Sequence, residues 1–237
     1  MYELESTHWW FRSLHELVLG YLDKSRKKNI NILDAGCGTG RLMFQMKSLG
    51  EITGFDFRDT ALCYCRKRGL KNANLVDLNK WNVTENQFDY VISLDVVSDQ
   101  GIKDDKLILK KFYKTLKPGG KLLLHVPAFP ILNRSHDKAA TIRKRYLRKE
   151  IEIISKEVGF IPIQIQYRLS FALPLFLIWK TSESFISSRE ESKSDIFALP
   201  SFANGLLLKL SRWENAVLRH GISLPWGTSI FSILQKK

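Results

Sequence analysis

Ile32-Leu33-Asp34-Ala35-Gly36-Cys37-Gly38-Thr39-Gly40 decides the fold. The apolar residues from Ile30 onward read as a short buried strand, and the pattern after Gly40, to about Leu49, reads as a helix. Between them stands G-x-G-x-G. Glycine is needed where backbone approaches a ligand closely in conformations barred to other residues, and the helix N-terminus beyond the turn offers free N–H groups. Dinucleotide enzymes place G-x-G-x-x-G in the same turn. Here the spacing is one residue shorter, and an acid, Asp34, closes the strand. A carboxylate there suits a ligand with a cationic group rather than a pyrophosphate.

Outward from this turn, strands and helices alternate. The pattern predicts strands at 51–57, 73–76, 88–94, 121–126, 160–167 and 227–234, and helices at 58–69, 104–116 and 148–158. The Lys117-Pro118-Gly119-Gly120 run reads as a stop signal. Alternation of this kind implies βαβ units and a mostly parallel sheet of seven strands. The strands are apolar on consecutive positions, as expected when helices cover both faces. An amphipathic helix at 4–22 precedes the first strand. Two segments break the alternation, 128–147 and 169–226. Both are expected as lid elements over the C-terminal edge of the sheet, the second with a helix at 201–219 and a polar, aperiodic stretch at 181–195. The whole chain reads as one domain: an N-terminal helix in 1–28, a ligand-binding core in 29–127 and the two insertions.

Bulk properties agree with this. The chain has 237 residues, 44% hydrophobic and 26% charged, an ordinary globular composition. Its formal net charge of +13 favours anionic partners: nucleic acid, acidic lipid or a phosphorylated substrate. It is equally what a merely soluble basic surface would show. Cys37, Cys63 and Cys65 give no disulfide framework and no zinc pattern. The opening residues lack a signal-peptide pattern, and no apolar run is long enough to span a bilayer. A reduced, cytoplasmic location is expected, with peripheral membrane contact through 171–179 as a further option.

Two more acids stand at strand ends. Asp56 lies 20 residues after Gly36, where an acid can accept hydrogen bonds from two ribose hydroxyls, although a strand-end Asp is also a common helix cap. Phe57 follows it. Asp77, after the third strand, can accept from an adenine amino group while Leu78 packs on the ring, and Asp-Leu-Asn is also an ordinary turn.

With these residues on the page, the segment 30–126 resembles the core of class I S-adenosylmethionine-dependent methyltransferases: ILDAGCGTG, GFD, VDL, FDYVISLD and LKPGGKLLLHVP follow in that family's order and spacing. The resemblance implies a Rossmann-like class I methyltransferase fold and S-adenosylmethionine as cofactor, with S-adenosylhomocysteine as product. It implies that Gly36, Cys37, Gly38 and Gly40, beside Asp34, line the methionine part, that Asp56 binds ribose and Asp77 adenine, and that Leu94 and Asp95 border the methionine and the acceptor. The flanks resemble bacterial methyltransferases of the methyltransferase-11/12 type: His8-Trp9-Trp10-Phe11-Arg12, Ser135-His136-Asp137 followed by Arg143-Lys144-Arg145-Tyr146, and Leu224-Pro225-Trp226-Gly227. Relatives often carry a histidine just after the fourth strand. Here the residues are Asp95-Val96-Val97, so no role can be carried over for it.

Methyl transfer from a sulfonium is an in-line displacement that the protein mainly positions. A hydroxyl acceptor must also lose a proton. His136, assisted by Asp137, is the candidate base, against the alternative of a surface loop histidine. His125 reads as a buried, hydrogen-bonded strand histidine. His8 with its aromatic neighbours reads as lid or as plain core packing. The cluster Arg143, Lys144, Arg145 reads as phosphate recognition or as a solvated face. No metal is expected. The expected activity is methylation of an O or N atom of a small-molecule, sugar or glycolipid acceptor. An RNA methyltransferase and a non-catalytic cofactor-binding protein are the alternatives, and basic residues gathered around the acceptor cleft would favour RNA.

Overall fold

The computed structural model describes residues 2–24, 29–132, 141–174 and 199–237. Seven strands form one sheet in the order β3-β2-β1-β4-β5-β7-β6. They are β1 (Ile30–Ala35), β2 (Gly50–Asp56), β3 (Ala73–Leu75), β4 (Phe88–Leu94), β5 (Leu116–Pro127), β6 (Ile161–Arg168) and β7 (Ser229–Gln235). β7 runs antiparallel between β5 and β6, and the other described pairings are parallel.

The consecutive apolar positions of the strands are used on both faces. Leu33, Leu122 and Leu124 pack on one side with Ile108, Leu109 and Phe112 of α5 (Asp105–Thr115) and Ile151 of α6 (Arg148–Val158). Their neighbours Ile32 and Leu123 pack on the other side. There they meet Leu14, Leu17 and Val18 of α2 (Trp9–Lys24), Met43 of α3 (Arg41–Met46) and Leu62 of α4 (Asp59–Lys67). Each of these side chains is almost fully buried, which is what fixes the register of a two-sided sheet. α5 starts where the Asp104 side chain accepts the Leu107 N–H at 3.0 Å.

The predicted helix at 4–22 is two helices. α1 (Leu4–Thr7) ends at His8, whose extended backbone (φ −73°, ψ 132°) turns the chain before α2. β5 begins earlier than predicted. Leu116 already pairs with Phe88, and the Pro118-Gly119-Gly120 run is absorbed as an irregularity in the β4–β5 ladder rather than ending an element. α3 stops at Met46, short of Leu49.

Beyond the sheet, α7 (Ser201–Arg219) crosses α2 over a buried polar seam. Arg168, at the end of β6, is fully buried. Its Nη2 donates to Ser13 Oγ of α2 at 2.7 Å and its Nε to Asn215 Oδ1 of α7 at 3.3 Å. Glu214 of α7 accepts the backbone N–H groups of Leu169 and Ser170. Burial lowers the Arg168 pKa to about 10, which Glu214 opposes. This seam ties the N-terminal helix, the second insertion and the sheet edge together, and places α2 and α7 beside the C-terminal ends of the strands.

Candidate active site

The C-terminal ends of β1 and β4 flank the point where strand order reverses, the usual place for a ligand in an open α/β sheet. A cavity of about 1050 Å³ opens there. The β1–α3 turn forms its floor. Gly36 has φ +93°, and a side chain would put Cβ 2.0 Å from Val96 Cγ2. Its N–H and that of Cys37 both donate to Phe55 O, at 2.7 and 2.9 Å, which anchors the turn to β2. Gly38 has φ +54°, and a Cβ there would meet only Glu5 at 3.5 Å. Glycine is therefore demanded at 38 by backbone conformation and not by protein crowding.

Asp56 is buried at the end of β2. Its Oδ2 accepts the Gly38 N–H at 3.0 Å and its Oδ1 accepts the Arg58 N–H at 2.9 Å. The carboxylate thus fastens the glycine turn to the turn after β2. The latter is a cap-like contact, the geometry that the capping reading of Asp56 expects. Asp34 is 3% exposed, and burial, with Glu5 and Asp56 nearby, pushes its pKa up to about 7. Three carboxylates converge on one wall. Arg58 pairs with Asp56 and Arg68 stands 3.9 Å from Glu5, while burial and its two acidic neighbours all disfavour ionised Asp34, an arrangement that a cationic ligand would relieve.

Glu5 carried no sequence signal beyond being, with Glu3, one of two acids before the aromatic run. In the structure α1 lies on the glycine turn. Thr39 Oγ1 donates to Glu5 Oε2. Arg68 Nε donates to Thr39 O at 2.9 Å, and its Nη2 stands 3.9 Å from Glu5. Burial raises the Glu5 pKa, opposed by Thr39 and Arg68. His8, Trp9, Trp10 and Phe11 continue along the cavity wall, so this stretch forms wall as well as core.

The remaining predicted cofactor residues, Gly40 excepted, fall around the same cavity with differing exposure. Phe57 is mostly exposed, with the Arg58 guanidinium 5.3 Å from its ring. Asp77 Oδ1 accepts from Asn79 N at 2.9 Å and from Asn79 Nδ2 at 2.8 Å, which lowers its pKa and is the ordinary turn geometry. Leu78 is buried in the α5-side core while lining the cavity. Leu94 and Asp95 also line it. Gly40 packs against Leu70 and Cys65 and is not among the cavity-lining residues. The Cys37 thiol is engaged with Cys65, which together with burial raises its pKa, so its side chain serves the α4 contact.

On the acceptor side, His136 and Asp137 lie outside the described residues, as does the stretch 181–195. His125 is buried and hydrogen-bonded as expected, and it also lines the cavity. Its Nδ1 is 2.9 Å from Asp95 Oδ1, while its Nε2 has no protein partner. Asp95 has a left-handed backbone, φ +60°. The basic cluster is divided. Arg143 and Lys144 pair with Asp105, and Lys144 also with Glu150 at 2.5 Å, whereas Arg145 is buried, lines the cavity and donates to Ala128 O at 3.3 Å. Neither a shared phosphate site nor one solvated face describes all three. Thr141, Ile142, Leu169, Ala172 and Leu207 supply further wall from the two insertions. Among the described residues no group of three or more His, Cys, Asp or Glu is placed to hold a metal ion.

Residues 26–159 match the family described as Methyltransferase domain. The chain belongs to that family. This methyltransferase domain is similar to the ubiquinone biosynthesis O-methyltransferase of Idiomarina loihiensis, 29% identical over 147 residues, covering 55% of this chain and 58% of the relative. It is similar to phosphoethanolamine N-methyltransferase 3 of Arabidopsis thaliana, 31% identical over 126 residues, covering 50% of this chain and 25% of the relative. The matches thus span less than two thirds of these relatives' length. A solved SAM-dependent methyltransferase from Archaeoglobus fulgidus shares the fold with TM-score 0.58 at 17% identity, covering 94% of each chain. The chain is a Rossmann-like S-adenosylmethionine-dependent methyltransferase domain, with S-adenosylmethionine as its cofactor.

Proposed function

We propose that this protein transfers the methyl group of S-adenosylmethionine to an oxygen or nitrogen of a small, partly apolar acceptor. The observation that carries the reading is the apolar part of the cavity lining, to which Trp9, Trp10 and Phe11 contribute together with Leu169, Ala172 and Leu207. Such a surface desolvates an acceptor and sets its nucleophile in line with the sulfonium methyl. The names of the two relatives, which act in ubiquinone biosynthesis and on phosphoethanolamine, fit an O or N nucleophile on a small molecule. A glycolipid fits the same apolar wall, and a phosphorylated acceptor has Arg145 within it.

On this reading Asp34 and Glu5 take the cofactor's ammonium group, Asp56 its ribose hydroxyls, and Asp77 with Leu78 its adenine. For a hydroxyl acceptor the described pair suited to accept the proton is His125 with Asp95. A carboxylate at Nδ1 holds the proton there and leaves Nε2 as the basic nitrogen. His136 remains a second candidate for the same task.

RNA is the weaker acceptor. The Lys and Arg side chains lining the cavity, among the described residues, are Arg41, Arg58, Lys103 and Arg145, and Arg58 is paired with Asp56. That is no continuous track for a phosphate backbone. Transfer of labelled methyl from S-adenosylmethionine to an apolar phenol, to phosphoethanolamine and to bulk tRNA tests the reading. Label in either small molecule is the expected result. Label in RNA alone would replace the proposal, and cofactor binding with no transfer to a broad acceptor panel would favour a non-catalytic role.

A further inference from the structure

α7 is apolar on two sides: Leu208 and Leu218 are buried with the polar seam, and a second set of large apolar side chains faces out. Its buried face carries Ser211, Glu214 and Asn215, all under 5% exposed and held by the polar seam. Its outer face carries Phe202, Leu206, Leu210 and Trp213, exposed by 83%, 49%, 39% and 68%. At 100° per residue these four side chains lie within an arc of about 80°. An apolar stripe of this kind on a surface helix marks an interaction site rather than ordinary exposure.

The charges on the helix identify the partner. Glu214 is its only acid, and that carboxylate is buried against Leu169 and Ser170. The outer side of α7 carries Lys209, exposed beside the stripe, and Arg212, which reaches back to Glu16. The chain as a whole carries +13. A helix that offers aromatic and aliphatic side chains together with positive charge, and no exposed acid, is built for an anionic bilayer surface. No described helix is long and apolar enough to cross a membrane, so the contact is with the interface. Trp213 suits the depth where an indole meets headgroups.

We propose that the outer face of α7 docks this protein on anionic lipid membranes, with Phe202, Leu206, Leu210 and Trp213 entering the headgroup–acyl boundary. This surface is separate from the one expected at 171–179, of which 175–179 lie outside the described residues. The proposal does not depend on methyl transfer. Leu207 of the same helix lines the cavity, so docking would also bring the cavity wall close to the lipid.

Flotation with vesicles tests it, using phosphatidylglycerol mixed into phosphatidylcholine and phosphatidylcholine alone. The expected result is binding to the anionic vesicles that weakens with salt. The double variant Phe202→Ser/Trp213→Ser should lose about a hundredfold in partitioning, from two large side chains no longer buried in lipid. Lys209→Glu should lose about tenfold on anionic vesicles only. Melting temperature and S-adenosylhomocysteine affinity should be unchanged in both variants, because all three side chains are exposed. Failure of the wild type to float with anionic vesicles, or equal flotation of the double variant, would overturn the proposal. So would sedimentation velocity showing that the stripe holds two copies of the chain together.

Discussion

The two halves of the cavity are built in different ways. On the proposed reading, the half that takes the cofactor comes from strand ends and the turns directly after them: Asp34 near the end of β1 and the glycines that follow it, Asp56 at the end of β2, Asp77 after β3. Much of its shape is backbone, set by φ angles and by N–H groups donated to Phe55 and Asp56. The half proposed for the acceptor is assembled from segments far apart in the chain, with Trp10 from α2, His125 from β5, Arg145 and Leu207 from the insertions. Its shape is side chain, and its pieces are held in place by contacts such as Ser13–Arg168–Asn215. A ligand common to a family can be met by local rules of turn and strand end. A ligand particular to one protein is met by surfaces that long-range packing brings together.

The largest effect that would sharpen this contrast is at His125. If it is the acceptor-side base, His125→Gln should lower kcat on a hydroxyl substrate by about 10²–10⁴-fold while leaving S-adenosylhomocysteine affinity unchanged. An amine acceptor should be nearly indifferent to the change. The control is Asp95→Asn, which keeps a partner at Nδ1 but no longer fixes the proton there. It should shift the pH profile of kcat as well as lowering it. A kcat that survives both substitutions would return the role to His136 and leave Asp95–His125 as a structural contact.

The difference between the halves is also the difference between what was legible and what was not. β4 and α6 are found at the bounds their periodicity indicates, and so is α7, because amphipathic faces and caps are local properties. That Asp34, Gly36, Gly38 and Asp56 line one cavity follows from one turn and one spacing. Glu5 was invisible because nothing around it marks a charge that will meet Thr39, 34 residues on. The place of β7, antiparallel between β5 and β6, depends on a long connection and not on its own residues. His125 was read as a buried strand histidine, which it is. Only the folded structure shows that it also borders the cavity, with the Trp10 ring centroid 5.9 Å from the imidazole.

A smaller but still clear effect belongs to Asp56, and it separates binding from fastening. Asp56→Ala should weaken S-adenosylhomocysteine binding tenfold or more, since each hydrogen bond to a charged acceptor contributes about 1.5–3 kcal/mol. Part of that loss would come from the Gly38 N–H left without its acceptor. Calorimetric titration with S-adenosylhomocysteine and with its analogue lacking ribose hydroxyls divides the two. If the carboxylate holds ribose, the wild type prefers the natural ligand and the variant does not. An undiminished preference in the variant would confine Asp56 to the turn and break the assignment.

The mildest test is pH, and it addresses the carboxylate wall directly. Asp34 has its pKa raised to about 7 by burial, with Glu5 and Asp56 adding to the effect. In the free protein it is therefore protonated below that value, whereas an unfolded Asp ionises near 4. Between those two values the folded state holds more protons than the unfolded state, so this group's contribution to stability falls as pH rises toward 7 and is flat above it. Ligand binding has the opposite sign. A cofactor ammonium beside Asp34 favours the carboxylate, so binding below pH 7 expels a proton. Affinity for S-adenosylhomocysteine should therefore climb as pH is raised from 5.5 to 7, by at most about tenfold per unit, and level off above. The free protein should meanwhile lose stability over the same range from this group. Titrations in buffers of different ionisation enthalpy would count the expelled proton. Asp34→Asn should bind more weakly at pH 8 and lose much of the slope, Glu5 retaining what remains. An affinity flat from pH 5.5 to 8 in the wild type would mean that the ammonium lies elsewhere, and that the cofactor half owes its shape to backbone alone.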